Sequence, residues 1–186
     1  TIYLNGVPID AIYRYYPLDW FEQDTYFSGV IEAMKHNSMS INPPSTLINQ
    51  SKAFFALLWE LLNQGYFNDI EEKIIKKYIP ETSLSKEGLK TKDYCIKPYF
   101  GREGESIEFS IFIQNSRENN YVYQERIDIQ SINIDIHTTT KTIREVTYPI
   151  LGAYIAGDEF AGIYTRVGGR ITDKWAVFLP VYVERN

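Results

Sequence analysis

The apolar positions change their period partway along the chain. Before residue 93 most of them recur at helical spacing, apart from the opening strands and a polar loop. Phe54, Phe55, Leu58, Leu61 and Leu62 fall on one face of a segment that opens at Ser51 and stops at Gly65, which predicts the clearest helix. Ile70, Ile74 and Ile75 predict a second, short helix over Asn68–Tyr78, with all three inward and Pro80 ending it. Trp20, Phe21, Phe27, Val30, Ile31 and Met34 give helical spacing to Asp19–Met34. The polar stretch His36–Ile48, with Pro43-Pro44, predicts a loop. Ahead of these, Ile2-Tyr3-Leu4, Asn5-Gly6 and Val7-Pro8-Ile9 spell strand, turn and strand, and Asp10–Tyr16 is an aromatic strand ended by Pro17.

From Tyr94 onward the period is two. Ile107, Phe109, Ile111 and Ile113 alternate with Glu108, Ser110 and Phe112, and Ile132, Ile134 and Ile136 alternate with Asn133 and Asp135. Val122–Ile129, Thr147–Ala156, Gly162–Val167 and Trp175–Val183 complete the strands. No ten-residue helical pattern separates them, so neighbours should be antiparallel and joined by hairpins. The expected class is α+β: an antiparallel sheet packed against helices, helix-rich over 1–92 and strand-rich over 93–186.

Composition narrows this picture. A chain of 186 residues makes one domain or one large piece of a bigger one. At 44% hydrophobic and 23% charged it is no disordered chain, collagen or coiled coil. Fifteen Tyr and ten Phe agree with abundant sheet. The longest apolar runs, Ala53–Trp59 and Ala176–Val183, fall short of the ~20 residues that span a bilayer, so no membrane partner is expected. A net charge of −5 argues against a duplex nucleic-acid binder. The single cysteine, Cys95, lies in the apolar run Tyr94-Cys95-Ile96 and reads as a small buried hydrophobe. With no internal disulfide and no signal peptide, a cytoplasmic location is the expectation. The chain starts at Thr1 and runs at once into a strand, which reads as a piece whose amino-terminal part has been removed.

There is no Gly-x-Ser-x-Gly elbow, Walker A loop or Gly-x-Gly-x-x-Gly fingerprint. His36 and His137 have no partner spacing for zinc. What stands out instead is cations beside flexible backbone. Lys52 lies in the first turn of its helix, where an ammonium opposes the macrodipole by about 0.3–1 kcal/mol. An anion bound there turns the opposition into an advantage. Lys97 ends a strand ahead of Gly101-Arg102-Glu103-Gly104, a turn whose glycines let backbone amides approach a phosphate. In Tyr123-Gln124-Glu125-Arg126-Ile127 two polar residues interrupt a strand, as at an edge or at a hinge that hydrogen-bonds an adenine. Arg166 precedes Gly168-Gly169, and its fork suits a phosphate. Each feature also has a plain reading: a solvated lysine, an ordinary glycine hairpin, a surface arginine.

Their order resembles the glutathionylspermidine synthase family. The resemblance is carried by Asn42-Pro43-Pro44 leading to Ser51-Lys52-Ala53 and Leu57-Leu58-Trp59-Glu60, then Cys95-Ile96-Lys97-Pro98 and Gly101-Arg102-Glu103-Gly104. Tyr123-Gln124-Glu125, Gly157, Ala161-Gly162 and Arg166 follow in the same order, and Ile12-Tyr13-Arg14-Tyr15-Tyr16-Pro17 opens the match. The resemblance implies the carboxyl-terminal segment of an ATP-grasp ligase, which joins a carboxylate to an amine through an acyl phosphate with ATP and Mg2+. It implies ATP-phosphate contacts from Lys52 and Lys97, and a loop Gly101–Gly104, with Arg102, closing over them through the amides of Glu103 and Gly104. Gln124, Glu125, Arg126 and Ile127 would line the adenine, completed by Ile171 and Thr172. Arg166 would stabilise the transferring phosphoryl group, with Lys97 its partner in catalysis.

Departures accompany the match. The family's magnesium ligands, an Asp and a Glu-x-Asn, match nothing here and are expected upstream of Thr1, so this segment is expected to hold no metal and to be inactive alone. Near Pro149-Ile150 an apolar pair stands where a polar nucleotide contact is expected. The family's amidase domain has no counterpart. The substrates implied are a small carboxylate and an amine, with glutathione or a peptide and a polyamine as the family's pattern. Two other readings stand beside this one: a non-catalytic nucleotide-binding or structural module derived from the ATP-grasp fold, and a β-rich binding domain. The last requires Lys52, Lys97 and Arg166 to lie far apart; the ligase reading requires them to converge on a cleft between helices and sheet.

Overall fold

The computed structural model describes residues 2–21, 23–35, 39–110, 119–137 and 139–182. Ile111, Phe112 and Ile113 of one expected strand, His36 and Val183 lie outside them. The opening hairpin is as the pattern predicts: β1 (Ile2–Leu4) pairs antiparallel with β2 (Val7–Ile9) across Asn5-Gly6. β3 (Ala11–Tyr13) follows. The expected helix over Asp19–Met34 is reduced to two 3-10 turns, Leu18–Trp20 and Thr25–Phe27, and α1 (Ser28–Lys35). The apolar spacing in its first part serves an aromatic cluster: Tyr16 and Phe21 both stack on Phe27, at 4.3 and 4.4 Å between centroids.

The expected loop also changes. β4 (Met39–Ile41) pairs parallel with β3, and α2 (Thr46–Gln50) starts just beyond Pro43-Pro44. Short polar segments satisfy their backbone through long-range pairing that local composition does not reveal.

α3 (Ala53–Asn63) and α4 (Asp69–Tyr78) form where the spacing predicts. Asn68 caps α4, accepting from the Ile70 and Glu71 amides at 2.9 and 3.1 Å, while the Glu71 carboxylate accepts from the Asn68 amide at 3.0 Å. The inward faces need correction. α3 buries Ala56, Trp59 and Leu62, while Phe55 is exposed; α4 buries Ile75, while Ile70 and Ile74 are exposed. α3 is apolar nearly all round, so its sequence does not select a face. The Trp59 indole N–H, donating to the Pro80 carbonyl at 2.8 Å, selects it.

The strand-rich half is antiparallel, in two four-stranded sheets. One contains β5 (Thr82–Ser83), β6 (Tyr94–Pro98), β7 (Glu108–Phe109) and β8 (Tyr121–Glu125), in the order β5-β8-β6-β7. The other is a meander of β9 (Ile132–His137), β10 (Thr142–Ala156), β11 (Glu159–Gly168) and β12 (Val177–Leu179). β8 is thus an interior strand, not an edge, and ends at Glu125. Val122 and Ile96 are fully buried there. The fold is α+β. Its accessible surface, 14386 Å2, far exceeds the ~9,200 Å2 of a globular chain of this mass. Leu151, Tyr154, Ile155 and Phe160 of the long β10–β11 hairpin are exposed apolar residues. Among the described residues no helix is long and apolar enough to cross a membrane.

Candidate functional site

Between the two sheets lies a cavity of about 390 Å3. Its lining draws on β6, β7 and β8 from one side and on β10 and β11 from the other, with no residue from α1–α4. The cleft therefore sits between sheets rather than between helices and sheet. The physical reason is that α3 spends its apolar face on a core of its own with Leu62, Ile75, Phe67 and Ile79.

Most of the residues singled out from sequence meet here. Lys97, Glu103, Gly104, Gln124, Glu125, Arg126, Ile127, Arg166, Ile171 and Thr172 all line the cavity. Lys52, Gly101 and Arg102 do not. The Lys52 amide donates to the Tyr99 carbonyl at 2.8 Å, and its ammonium donates to the Gly101 carbonyl at 2.9 Å. It is tied to the glycine loop rather than to a frayed helix end. Arg102 faces a separate hollow with Asp173, Lys174 and Trp175. Its guanidinium donates to both oxygens of Asp19, at 3.0 and 2.5 Å, and stacks over Trp20. That hydrogen bonding holds the Asp19 carboxyl below its ordinary range. A carboxylate-paired arginine is committed, so Arg102 is a clasp between the first third of the chain and the loop.

The glycine loop is tightly wound. Glu103, Gly104 and Ser106 have φ of 52°, 75° and 54°. Gly104 packs against the far side of the cavity: an added Cβ would stand 2.3 Å from Ile171 Cγ2 and 2.9 Å from the Thr172 carbonyl oxygen. The turn thereby touches the segment between β11 and β12.

Polar groups are unevenly satisfied. Lys97 Nζ donates to Gln124 Oε1 at 2.5 Å. Arg166 donates one arm to the Asp173 carbonyl at 3.0 Å and lies over Phe178, while its buried Nε has no protein partner. Arg126 pairs with Asp93 at 2.9 Å, and its Nε is likewise buried and unpartnered. Arg170 pairs with Asp128 at 2.7 Å. Four cationic side chains and two carboxylates, Glu103 and Glu125, thus line one cavity of an acidic protein. Burial pushes the Lys52 ammonium down, helped by the nearby charges of Lys97 and Arg102. Burial pushes the Cys95 thiol up, consistent with an inert cysteine in the cavity wall. The backbone amides of Glu125 and Arg126 already donate to Glu81 and Asp93 carbonyls, at 2.7 and 3.1 Å.

Sequence reasoning missed part of the lining. Ile107, Phe109, Ile129, Ile150 and Tyr164 supply apolar walls, and Arg170 a further charge. Ile150 is the apolar residue standing where a polar contact was expected; it is directly opposite Arg166 in the β10–β11 register. The strand period held the signal, because Tyr164 and Arg166, two apart, face the same side.

The model of the glutathionylspermidine synthase preATP-grasp family matches residues 2–184. A Haemophilus influenzae protein named "Putative acid--amine ligase" is 25% identical over 187 residues, covering 96% of this chain and 43% of that protein. The chain thus spans under half the length of that relative. With the family's model running across nearly its whole length, this chain belongs to the glutathionylspermidine synthase preATP-grasp family.

Proposed function

We propose that the cavity holds ATP for a carboxylate–amine ligase, and that this chain is the carboxyl-terminal part of its ATP-grasp domain. One observation carries the reading: four cationic side chains, Lys97, Arg126, Arg166 and Arg170, converge on a cavity with apolar walls, inside a protein of net negative charge. The ligase name of the Haemophilus influenzae relative supports the class of reaction. The excess accessible surface supports a chain that packs within a larger body.

The residues fit a nucleotide. Lys97 and Arg166 hold phosphate charge, with the Glu103 and Gly104 amides closing over it. Lys52 acts from behind the loop, through Gly101. Ile107, Phe109, Ile127 and Ile171 would supply apolar walls for the base. Bound ATP would supply the phosphoryl group that activates the carboxylate as an acyl phosphate, releasing ADP, and attack by the amine would expel phosphate. The chain's own contribution is to position these phosphates and offset their charge. Magnesium is different: among the described residues no three His, Cys, Asp or Glu side chains are grouped to hold a metal. No residue here is assigned to it, and the chain alone binds without ligating. The substrates are a small carboxylate and an amine, with a glutathione-like peptide and a polyamine as the pair to try first, and the cytoplasm is the proposed setting.

Titration of the full-length protein with ATP and magnesium is the test. Lys97→Ala is expected to weaken binding about tenfold or more, the value of a charge-assisted contact. Unchanged affinity removes the assignment.

Lys52 adds a pH dependence. A polyphosphate favours its ammonium form, whereas the free protein disfavours it. Affinity is therefore full below the lowered Lys52 pKa. It falls as pH rises through that value, beginning below the ordinary lysine pKa of ~10.4. Proton uptake on binding, measured by calorimetry in two buffers at alkaline pH, checks this; Lys52→Met abolishes it. Uptake that persists in Lys52→Met assigns the proton elsewhere.

A further inference from the structure

We infer that Gln124 is a positioning residue for Lys97 rather than a reader of the base; this rests on the nucleotide reading above. Gln124 lies in the interior strand β8, buried between β5 and β6. Each end of its amide has a protein partner. Oε1 accepts from Lys97 Nζ at 2.5 Å, and Nε2 donates to Thr82 Oγ1 at 2.9 Å. The Thr82 hydroxyl, itself buried, donates to the Pro80 carbonyl at 2.8 Å, which also accepts from the Trp59 indole. Every donor points the same way along this chain, so the amide has one orientation. The flipped form would set its NH2 against an ammonium.

The consequence concerns charge. A long lysine side chain carries substantial rotamer entropy, and an anchor that removes it in advance lowers the cost of binding. A carboxylate anchor would also neutralise the ammonium. A neutral amide holds Lys97 in place and leaves its charge for the ligand. The strand register explains the residue's place: Gln124 stands opposite Thr82 on one side and Cys95 on the other.

The experiment measures ATP and adenosine binding to full-length protein. Gln124→Leu is expected to weaken ATP about tenfold or more while adenosine changes less than about twofold, since only ATP uses the ammonium. Gln124→Glu, nearly isosteric, is expected to weaken ATP and spare adenosine, because its carboxylate offsets Lys97. In a Lys97→Ala background, Gln124→Leu should cost ATP binding nothing further, a result that a merely structural role would not produce. Equal loss of ATP and adenosine, or no loss of either, overturns the inference and leaves the nucleotide site standing. A wild-type protein that binds neither ligand overturns both.

Discussion

Gly104→Ala is expected to weaken ATP binding about a hundredfold and to destabilise the folded chain by about 2–4 kcal/mol, from left-handed strain and overpacking together. Two penalties meet at this residue. Its φ of 75° is a conformation that L-residues enter at a cost. Its missing Cβ also makes room for Ile171 Cγ2 and for the Thr172 carbonyl oxygen, the latter a backbone atom that cannot swing away. The loop must lift from the opposite wall, which would withdraw the Glu103 and Gly104 amides from the proposed phosphate position. Gly157→Ala is the control. At the tip of the β10–β11 hairpin its φ is 64°, and nothing lies within 4 Å of an added Cβ. It should show the strain alone, about 1–2 kcal/mol, with ATP affinity unchanged. Urea unfolding and nucleotide titration of both variants decide the matter; equal behaviour of the two would mean that the contact with Ile171 and Thr172 is not used.

Trp59→Ala is expected to cost about 3–5 kcal/mol of stability, a large part of the 5–15 kcal/mol that a domain of this kind possesses. The indole fills the core with Leu62 and Ile75 and donates to the Pro80 carbonyl. Trp59→Phe keeps most of the ring and loses the donor, so about 1–2 kcal/mol is expected. Because Pro80 also receives the Thr82 hydroxyl, the loss extends toward Gln124 and Lys97. A shift in urea midpoint that is small and equal for both variants would show that α3 is held elsewhere.

Much of the fold was legible in the pattern of residues, and particular elements show why. Asn68 with Glu71 three residues on is a local device, and α4 begins there. The strict alternation Ile132–Ile136 is likewise local, and β9 follows it. Ile70 and Ile74 misled, because helical spacing records that an apolar face exists and not that this chain covers it. The run Asp19–Met34 misled for a related reason: aromatic residues clustered around Phe27 mimic a helical stripe. At the site, Lys97, Gly104 and Arg166 were each visible as chemistry. Arg102 was visible too, yet Asp19, eighty-three residues away, holds it.

What the order of amino acids determined by itself was the inventory: an α+β chain, a glycine turn after Lys97, an arginine before paired glycines, and an excess of acidic residues elsewhere. Tertiary structure alone decided which cations share a cavity, which are already paired with carboxylates, and which way the Gln124 amide points. Local geometry is set over a few residues by backbone sterics and spacing. The electrostatic state of a side chain depends on burial and on neighbours brought from distant positions, and only folding places those.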